Sequence, residues 1–378
     1  MIYLDYNATT PVDINVLQEM LPYFSQSFGN AASAYSYGLD AKKAVDISRE
    51  KIARHLHCNA QEIIFTSGAT ESINLALKGV FESYREKGNH IITVATEHKA
   101  VLDTCKNLES KGAEITLLSV DKNGIIDLEE LKNSIKKTTI LIAIMYANNE
   151  TGVIQAIEKI GKISKENNVL FFCDATQAIG KAPMNVIEDN IDLLCLSGHK
   201  IYAPKGIGAL YVRRKNPRVS LTEQINGGGH ERGWRSGTLN VPSIVGLGKA
   251  FDLFNEEEIE KIKLLRNKLE EGLLQISGTF LNGDKEKRIF NTVNISFSDV
   301  HGKMLIADLT KQIAVSSGSA CSSASVEPSH VLEAMGVPEE LNRSSIRFSL
   351  GRLITEQEID FTIDYVKSCV EKIRSIYL

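Results

Sequence analysis

The chain has 378 residues, 43% of them hydrophobic and 24% charged, which suits a soluble globular protein and excludes a disordered one. That length exceeds a single core, so two domains are expected. A formal net charge of -4 leaves no basic surplus for neutralising phosphates, which argues against nucleic-acid binding.

No apolar run approaches the roughly 18–20 residues needed to span a bilayer. Met1-Ile2-Tyr3-Leu4-Asp5 enters a strand-like segment without a basic leader or apolar signal core, so a cytoplasmic protein is expected. The six cysteines are scattered and form no CxxC, so neither a zinc knuckle nor a disulfide framework is indicated. Cys173 and Cys195 lie in strand-like apolar runs and read as core thiols. His55 and His57 beside Cys58 do not suggest a metal, because residues two apart on a helix do not converge. No metal site is expected.

In chain order, Ile63-Ile64-Phe65 reads as a strand, followed by a helix from Glu71 to Lys78. Ile91 to Ala95 is strand-like, and the helix from about Ala100 to Ser110 stops at Gly112. After the strand Ile115 to Val120, Asp127-Leu128-Glu129-Glu130 resembles a capping box opening a helix. Ile140 to Met145 is a strand, and Ile157, Ile160 and Ile163 make a helical stripe. Val169 to Cys173 and Ile191 to Leu196 are strands again. Short apolar strands separated by helices indicate a parallel sheet covered on both faces, with binding groups gathered at the strands' carboxyl ends.

After Gly248 the character changes. A charged helix from Glu256 to Ile276 leads to strands at Thr292 to Phe297 and Ile346 to Leu350, then a terminal helix from Glu356. We expect an α/β protein with a large domain over 14–252. A smaller α/β domain over 253–378 follows, with 1–13 packing on it as an N-terminal arm. GxGxxG and P-loop signatures are absent, so nucleotide readings lack support.

The polar groups after the strands carry the chemistry. Ser197-Gly198-His199-Lys200 sets a lysine just beyond an apolar strand, suited to a Schiff base with pyridoxal phosphate if the pocket is partly dry; a solvated surface lysine is the plainer reading. Thr66-Ser67-Gly68-Ala69-Thr70-Glu71 joins a strand to a helix and can present backbone N–H groups to a phosphate, or simply cap the helix through Ser67 or Thr70. Asp174 ends its strand, where a carboxylate either pairs with a pyridinium nitrogen or caps a turn. Gln177, three residues on, can reach the ring hydroxyl. His98 can stack on a flat cofactor and move protons, or be structural. Arg347 alternates with Ile346 and Phe348 and must face the polar side of its strand, suiting a carboxylate or bulk solvent. Cys321 sits among Gly, Ser and Ala from Ser316 to Ser325, where a mobile thiol can visit a buried substrate and then an external acceptor, or be an incidental linker thiol.

Together these segments resemble the cysteine desulfurases of the NifS/IscS type in the class V aminotransferase superfamily. The match runs from Tyr3-Leu4-Asp5-Tyr6-Asn7-Ala8-Thr9-Thr10 to Arg347. Its strongest parts are Thr66 to Ser72, Glu97-His98-Lys99, Asn148-Asn149-Glu150, Ser197 to Lys200, Arg235-Ser236-Gly237-Thr238 and Ser316 to Cys321. The resemblance implies a fold-type I homodimer that uses pyridoxal 5'-phosphate, with Lys200 as the Schiff-base lysine. It further implies that Ala69, Thr70, Ser197 and His199 hold the phosphate, joined by Thr238 from the partner subunit. Asn149, Asp174 and Gln177 would contact the ring and His98 would stack on it. Arg347, with Asn149, would bind the L-cysteine substrate. Cys321 would take its sulfur as a persulfide, leaving L-alanine, and pass it to an iron–sulfur scaffold or another sulfur-carrier protein.

Other enzymes of the superfamily, an aminotransferase or a selenocysteine lyase, would share the cofactor set but not need Cys321. Two departures stand out. Asn30-Ala31-Ala32-Ser33-Ala34-Tyr35 replaces the family's usual Asn-Pro-Ser-Ser-x-His, so the entrance there is expected to differ. The chain also stops at Ile376-Tyr377-Leu378, shorter than the scaffold-docking tail of the IscS subgroup.

Overall fold

Among the described residues the strands assemble into three sheets, of seven, four and two strands. The computed structural model describes residues 1–317 and 328–377; Cys321 lies outside the described residues. In chain order the strands are β1 (Ile2–Tyr3), β2 (Ile63–Thr66), β3 (His90–Val94), β4 (Glu114–Leu118), β5 (Thr139–Ala143), β6 (Leu170–Asp174) and β7 (Leu193–Ser197). They continue as β8 (Gly208–Val212), β9 (Thr279–Leu281), β10 (Thr292–Phe297), β11 (Ile313–Ala314), β12 (Ser316–Ser317) and β13 (Ile346–Ser349).

The large sheet runs β2-β8-β7-β6-β5-β3-β4. Its neighbours are parallel except at β8, which is antiparallel to both β7 and β2. Along β7 the alternation of side chains splits the burial between two cores. Leu194 and Leu196 pack with the helices Ser36–Leu56 and Val241–Phe251, whereas Leu193 and Cys195 pack with the helices Ala69–Ser83 and Lys99–Glu109. Both faces are thereby covered, as the continuous apolar strands require. Phe171 and Phe172 of β6 are fully buried on opposite faces, each contributing about 1.5–3 kcal/mol.

The second sheet, β12-β13-β10-β9, is antiparallel and packs against the helices Glu256–Leu274 and Glu356–Tyr377. Leu4 and Tyr6 of the N-terminal segment belong to this core. That segment is pinned by the β1–β11 pairing and by Asn7 N–H donating to Ser349 Oγ at 2.9 Å.

Two local readings change. Asp127 caps its helix through Glu129 N–H, but Glu130 turns away to accept from Ser119, so no capping box forms there. A reciprocal box forms instead at Asn59–Glu62. Neither Ser67 nor Thr70 caps the helix Ala69–Ser83. Its N-cap is Gly68, at φ 152°, with no side-chain cap. Gly208 lies so close to this turn that a Cβ on it would sit 2.7 Å from Gly68 Cα.

Candidate active site

All six same-direction strands of the large sheet deliver their carboxyl ends to one edge, and there a cavity of about 670 Å³ opens. Ala69, Thr70, His98, Asn149, Asp174 and Gln177 line it. Ser197, His199, Lys200 and Arg347 line it too, so the structure gathers ten of the sequence candidates. Thr238 is exposed and does not line it.

Two anion-receptive features meet at one end, and His199 lines the same cavity. The helix Ala69–Ser83 presents an N-terminus without a side-chain cap, where its dipole and free N–H groups favour negative charge. Ser197 Oγ stands beside it, 3.5 Å from where a Gly68 Cβ would lie. His199 contacts Thr9 Oγ1 through Nδ1 at 3.2 Å. Burial, then the charges of Lys200 and Lys205, push the His199 pKa down to about 4. It is therefore a neutral ring near pH 7.

Asp174 ends β6 almost fully buried. Its Oδ1 accepts from Thr176 N–H at 2.9 Å and from the Cys195 thiol at 3.3 Å. The cap reading of Asp174 is seen directly: Oδ1 caps the turn, while among the described residues Oδ2 has no hydrogen-bond donor. The Cys173 and Cys195 thiols behind it are fully buried, and desolvation raises their pKa values well above normal. They are core thiols, as expected.

Lys200 Nζ donates to the carbonyls of Asn7 and Ala8 at 2.6 and 2.9 Å. His98 caps the helix Lys99–Glu109, with Nδ1 accepting from Ala100 N–H at 3.1 Å, which leaves the proton of the neutral ring on Nε2. Desolvation lowers its pKa, and Lys200 and His330 act in the same direction against Asp174. Gln177 spends both ends of its amide inside the protein, on Asn7 O at 2.9 Å and on Lys181 Nζ at 2.9 Å.

Arg347 is buried rather than solvated, while Ile346 and Phe348 enter the core beneath the four-stranded sheet as the alternation requires. Its Nη2 pairs with Asp5 Oδ1 at 2.7 Å and Nη1 donates to Asn149 O at 3.0 Å. Nε is buried without a partner. Asp5 is held in turn by Ser316 Oγ at 2.9 Å, on the strand paired with Arg347. Asn149 meets Arg347 through its carbonyl, a contact that residue type alone does not reveal.

Residues 2–361 match the aminotransferase class-V family. The chain belongs to that family. It is 54% identical over 381 residues to the cysteine desulfurase IscS of Mannheimia succiniciproducens, covering 99% of this chain and 94% of the relative. A solved NifS-like protein matches with a TM-score of 0.91 at 39% identity, over 98% of this chain and 99% of that one. A second structure, of SspA in complex with cysteine, gives 0.84 at 39% identity over 93% and 99%. Within the family this chain is of the cysteine desulfurase type, and its cofactor is pyridoxal phosphate.

The residues of this desulfurase fit that cofactor. The cavity is of ligand size, an uncapped helix N-terminus suits the phosphate, and the Asp174 oxygen without a donor suits a pyridinium N–H. Three residues at or beside the cavity had no role assigned from the sequence: Glu97, which adjoins the lining residue His98, and the lining residues Ser329 and His330. Glu97 is fully buried, its pKa raised well above normal by desolvation, with Oε1 accepting from Met145 N–H at 2.6 Å. Ser329 and His330 line the cavity as well, Ser329 donating to Glu150 and His330 Nε2 meeting Glu97 O at 3.0 Å. Pro328-Ser329, a proline before a capping serine, was the available signal for this turn.

Proposed function

We propose that this desulfurase takes sulfur from L-cysteine onto Cys321, releasing L-alanine, and passes the persulfide to an acceptor protein for iron–sulfur cluster or thio-cofactor and tRNA assembly. The observation that carries the reading is the convergence of Lys200, Asp174 and Arg347 on one cavity. Ser317 pairs with Ile346, beside Arg347, and Pro328 lines the cavity. Cys321 is four residues beyond Ser317, a span of at most about 14 Å.

Pyridoxal phosphate, when bound, supplies an electron sink for the substrate's Cα–H electrons. Ala69, Thr70, Ser197 and His199 would hold its phosphate, and Asp174 would keep its ring nitrogen protonated. Asn149 and Gln177 would flank the ring, with His98 against its face. Lys200 would anchor it, and its amine, when free, would take the substrate's Cα proton. Arg347 would hold the substrate carboxylate through its unpartnered Nε edge, its orientation fixed by Asp5 and Asn149. The Cys321 thiolate would attack the substrate sulfur, forming an S–S bond as the Cβ–S bond breaks; the carbon fragment keeps that electron pair and takes up a proton.

Arg347→Lys keeps the charge and loses the planar fork. We expect KM for cysteine to rise about 10- to 100-fold, the worth of one charged hydrogen bond, with the cofactor's absorbance unchanged. An unchanged KM would remove Arg347 from substrate binding.

We further propose a division into 14–252 and 253–378 with 1–13 as arm, supported by the two separate cores and by Leu4 and Tyr6 in the second. A homodimer with Thr238 crossing the interface is supported by the exposure of Thr238 and of apolar Ile14, Leu17, Leu21, Phe24 and Phe28. Among the described residues every cysteine is a free thiol and no helix is long and apolar enough to cross a membrane, which supports a reducing, cytoplasmic setting.

The test is Cys321→Ala, assayed with L-cysteine and separately with a 2-oxo acid as amino acceptor. Alanine formation from cysteine is expected to fall at least about 1,000-fold, with cofactor binding retained. Retained turnover that depends on the 2-oxo acid would instead make the protein an aminotransferase.

A further inference from the structure

Lys181 does not line the cavity but hydrogen-bonds two residues that do, Gln177 and Asn7, and no step above uses it. It follows Gly180 one turn after Gln177, and part of its stem reaches solvent while its amine is enclosed. Its Nζ donates to Gln177 Oε1 at 2.9 Å and lies 3.4 Å from Asn7 Oδ1. Gln177 Nε2 donates to Asn7 O, and Lys200 Nζ donates to that same carbonyl. The two amines are therefore linked through one residue, Asn7, which Ser349, Thr292 and Asn291 lock from the second sheet's side.

We propose that Lys181 is a positioning residue for Lys200: through Gln177 and Asn7 it fixes the place of the Lys200 amine, and its enclosed charge opposes a second positive charge there. The inference deepens the cysteine desulfurase reading and rests on Lys200 being the cofactor-bearing lysine. Among the described residues no carboxylate pairs with Lys181. The charged groups acting on it are Lys200 and Arg347. A small cavity on its other side is also lined by Tyr6, Tyr202, Glu258 and Arg352, the last two 3.5 Å apart as an ion pair.

Burial, then Lys200, then Arg347, pull the Lys181 pKa down to about 7. The sign follows. Below that pH the ammonium is present and disfavours charge on Lys200; above it the amine is neutral and only the hydrogen bonds remain. A neighbouring cation is a known means of keeping a reactive lysine neutral. In this arrangement it also answers what holds Gln177 away from free rotation.

The experiment is a pH titration of the visible absorbance of the cofactor-loaded protein without cysteine, comparing wild type, Lys181→Met and Lys181→Arg. The midpoint for charge loss at Lys200 should lie about one pH unit higher in K181M than in K181R, a tenfold change in the charged fraction. In K181R, permanently charged, it should stay at or below wild type. If K181M does not hold cofactor, Lys181→Gln replaces it. Equal midpoints in all the loaded proteins would overturn the proposal. Because no substrate is present, that failure is distinct from failure of the desulfurase reading, which the alanine assay decides. With cysteine, kcat of K181M should fall while KM changes less than in Arg347→Lys.

Discussion

Lys200→Ala is expected to remove alanine formation by at least about four orders of magnitude and to abolish covalent retention of the cofactor. The scale is that of deleting a nucleophile that also serves as the base. The effect should fall on kcat and not only on affinity, because added cofactor and added cysteine cannot supply an amine held at this point. Its place depends on the arm: two carbonyls, of Asn7 and Ala8, fix Nζ at 2.6 and 2.9 Å. Alanine release followed by amino-acid analysis, with gel filtration to score retained cofactor, checks both parts. Activity within tenfold of wild type would contradict the role given to Lys200.

Asp174→Asn should lower kcat by about 100- to 1,000-fold, the usual cost of losing one preorganised charge opposite a developing one. The substitution is shaped to isolate that charge. An asparagine can still accept from Thr176 N–H, which Asp174 now does at 2.9 Å, so the turn after β6 keeps its cap. Only the anionic oxygen facing the cavity is lost. Thermal unfolding of the variant should therefore stay near wild type while steady-state turnover collapses. A matched loss of stability and activity would make Asp174 a turn cap alone.

What the sequence carried and what it hid have physical reasons. The strand Thr292–Phe297 was legible to the residue because Thr-Val-Asn-Ile-Ser-Phe alternates strictly between polar and apolar side chains. Arg347 was legible as facing away from Ile346 and Phe348, since a strand alternates strictly. Its burial was not, because the partner that makes burial tolerable, Asp5, is 342 residues distant. The same holds for Asn7, which meets Ser349, Thr292, Gln177 and Lys200 from one short arm. β8 went unread because it follows the Lys200 turn without a helix, and it alone runs against the sheet. The uncapped helix after Gly68 could not be told from a serine- or threonine-capped one, since cap choice turns on a φ of 152° that composition does not encode.

The most direct test is a single turnover. Cofactor-loaded protein is mixed anaerobically with one equivalent of L-cysteine, quenched by alkylation, and assayed for alanine and for the mass of the Cys321 peptide. The account predicts one alanine per site and one extra sulfur on Cys321. No alanine and no added sulfur, with the cofactor's absorbance intact, would contradict it.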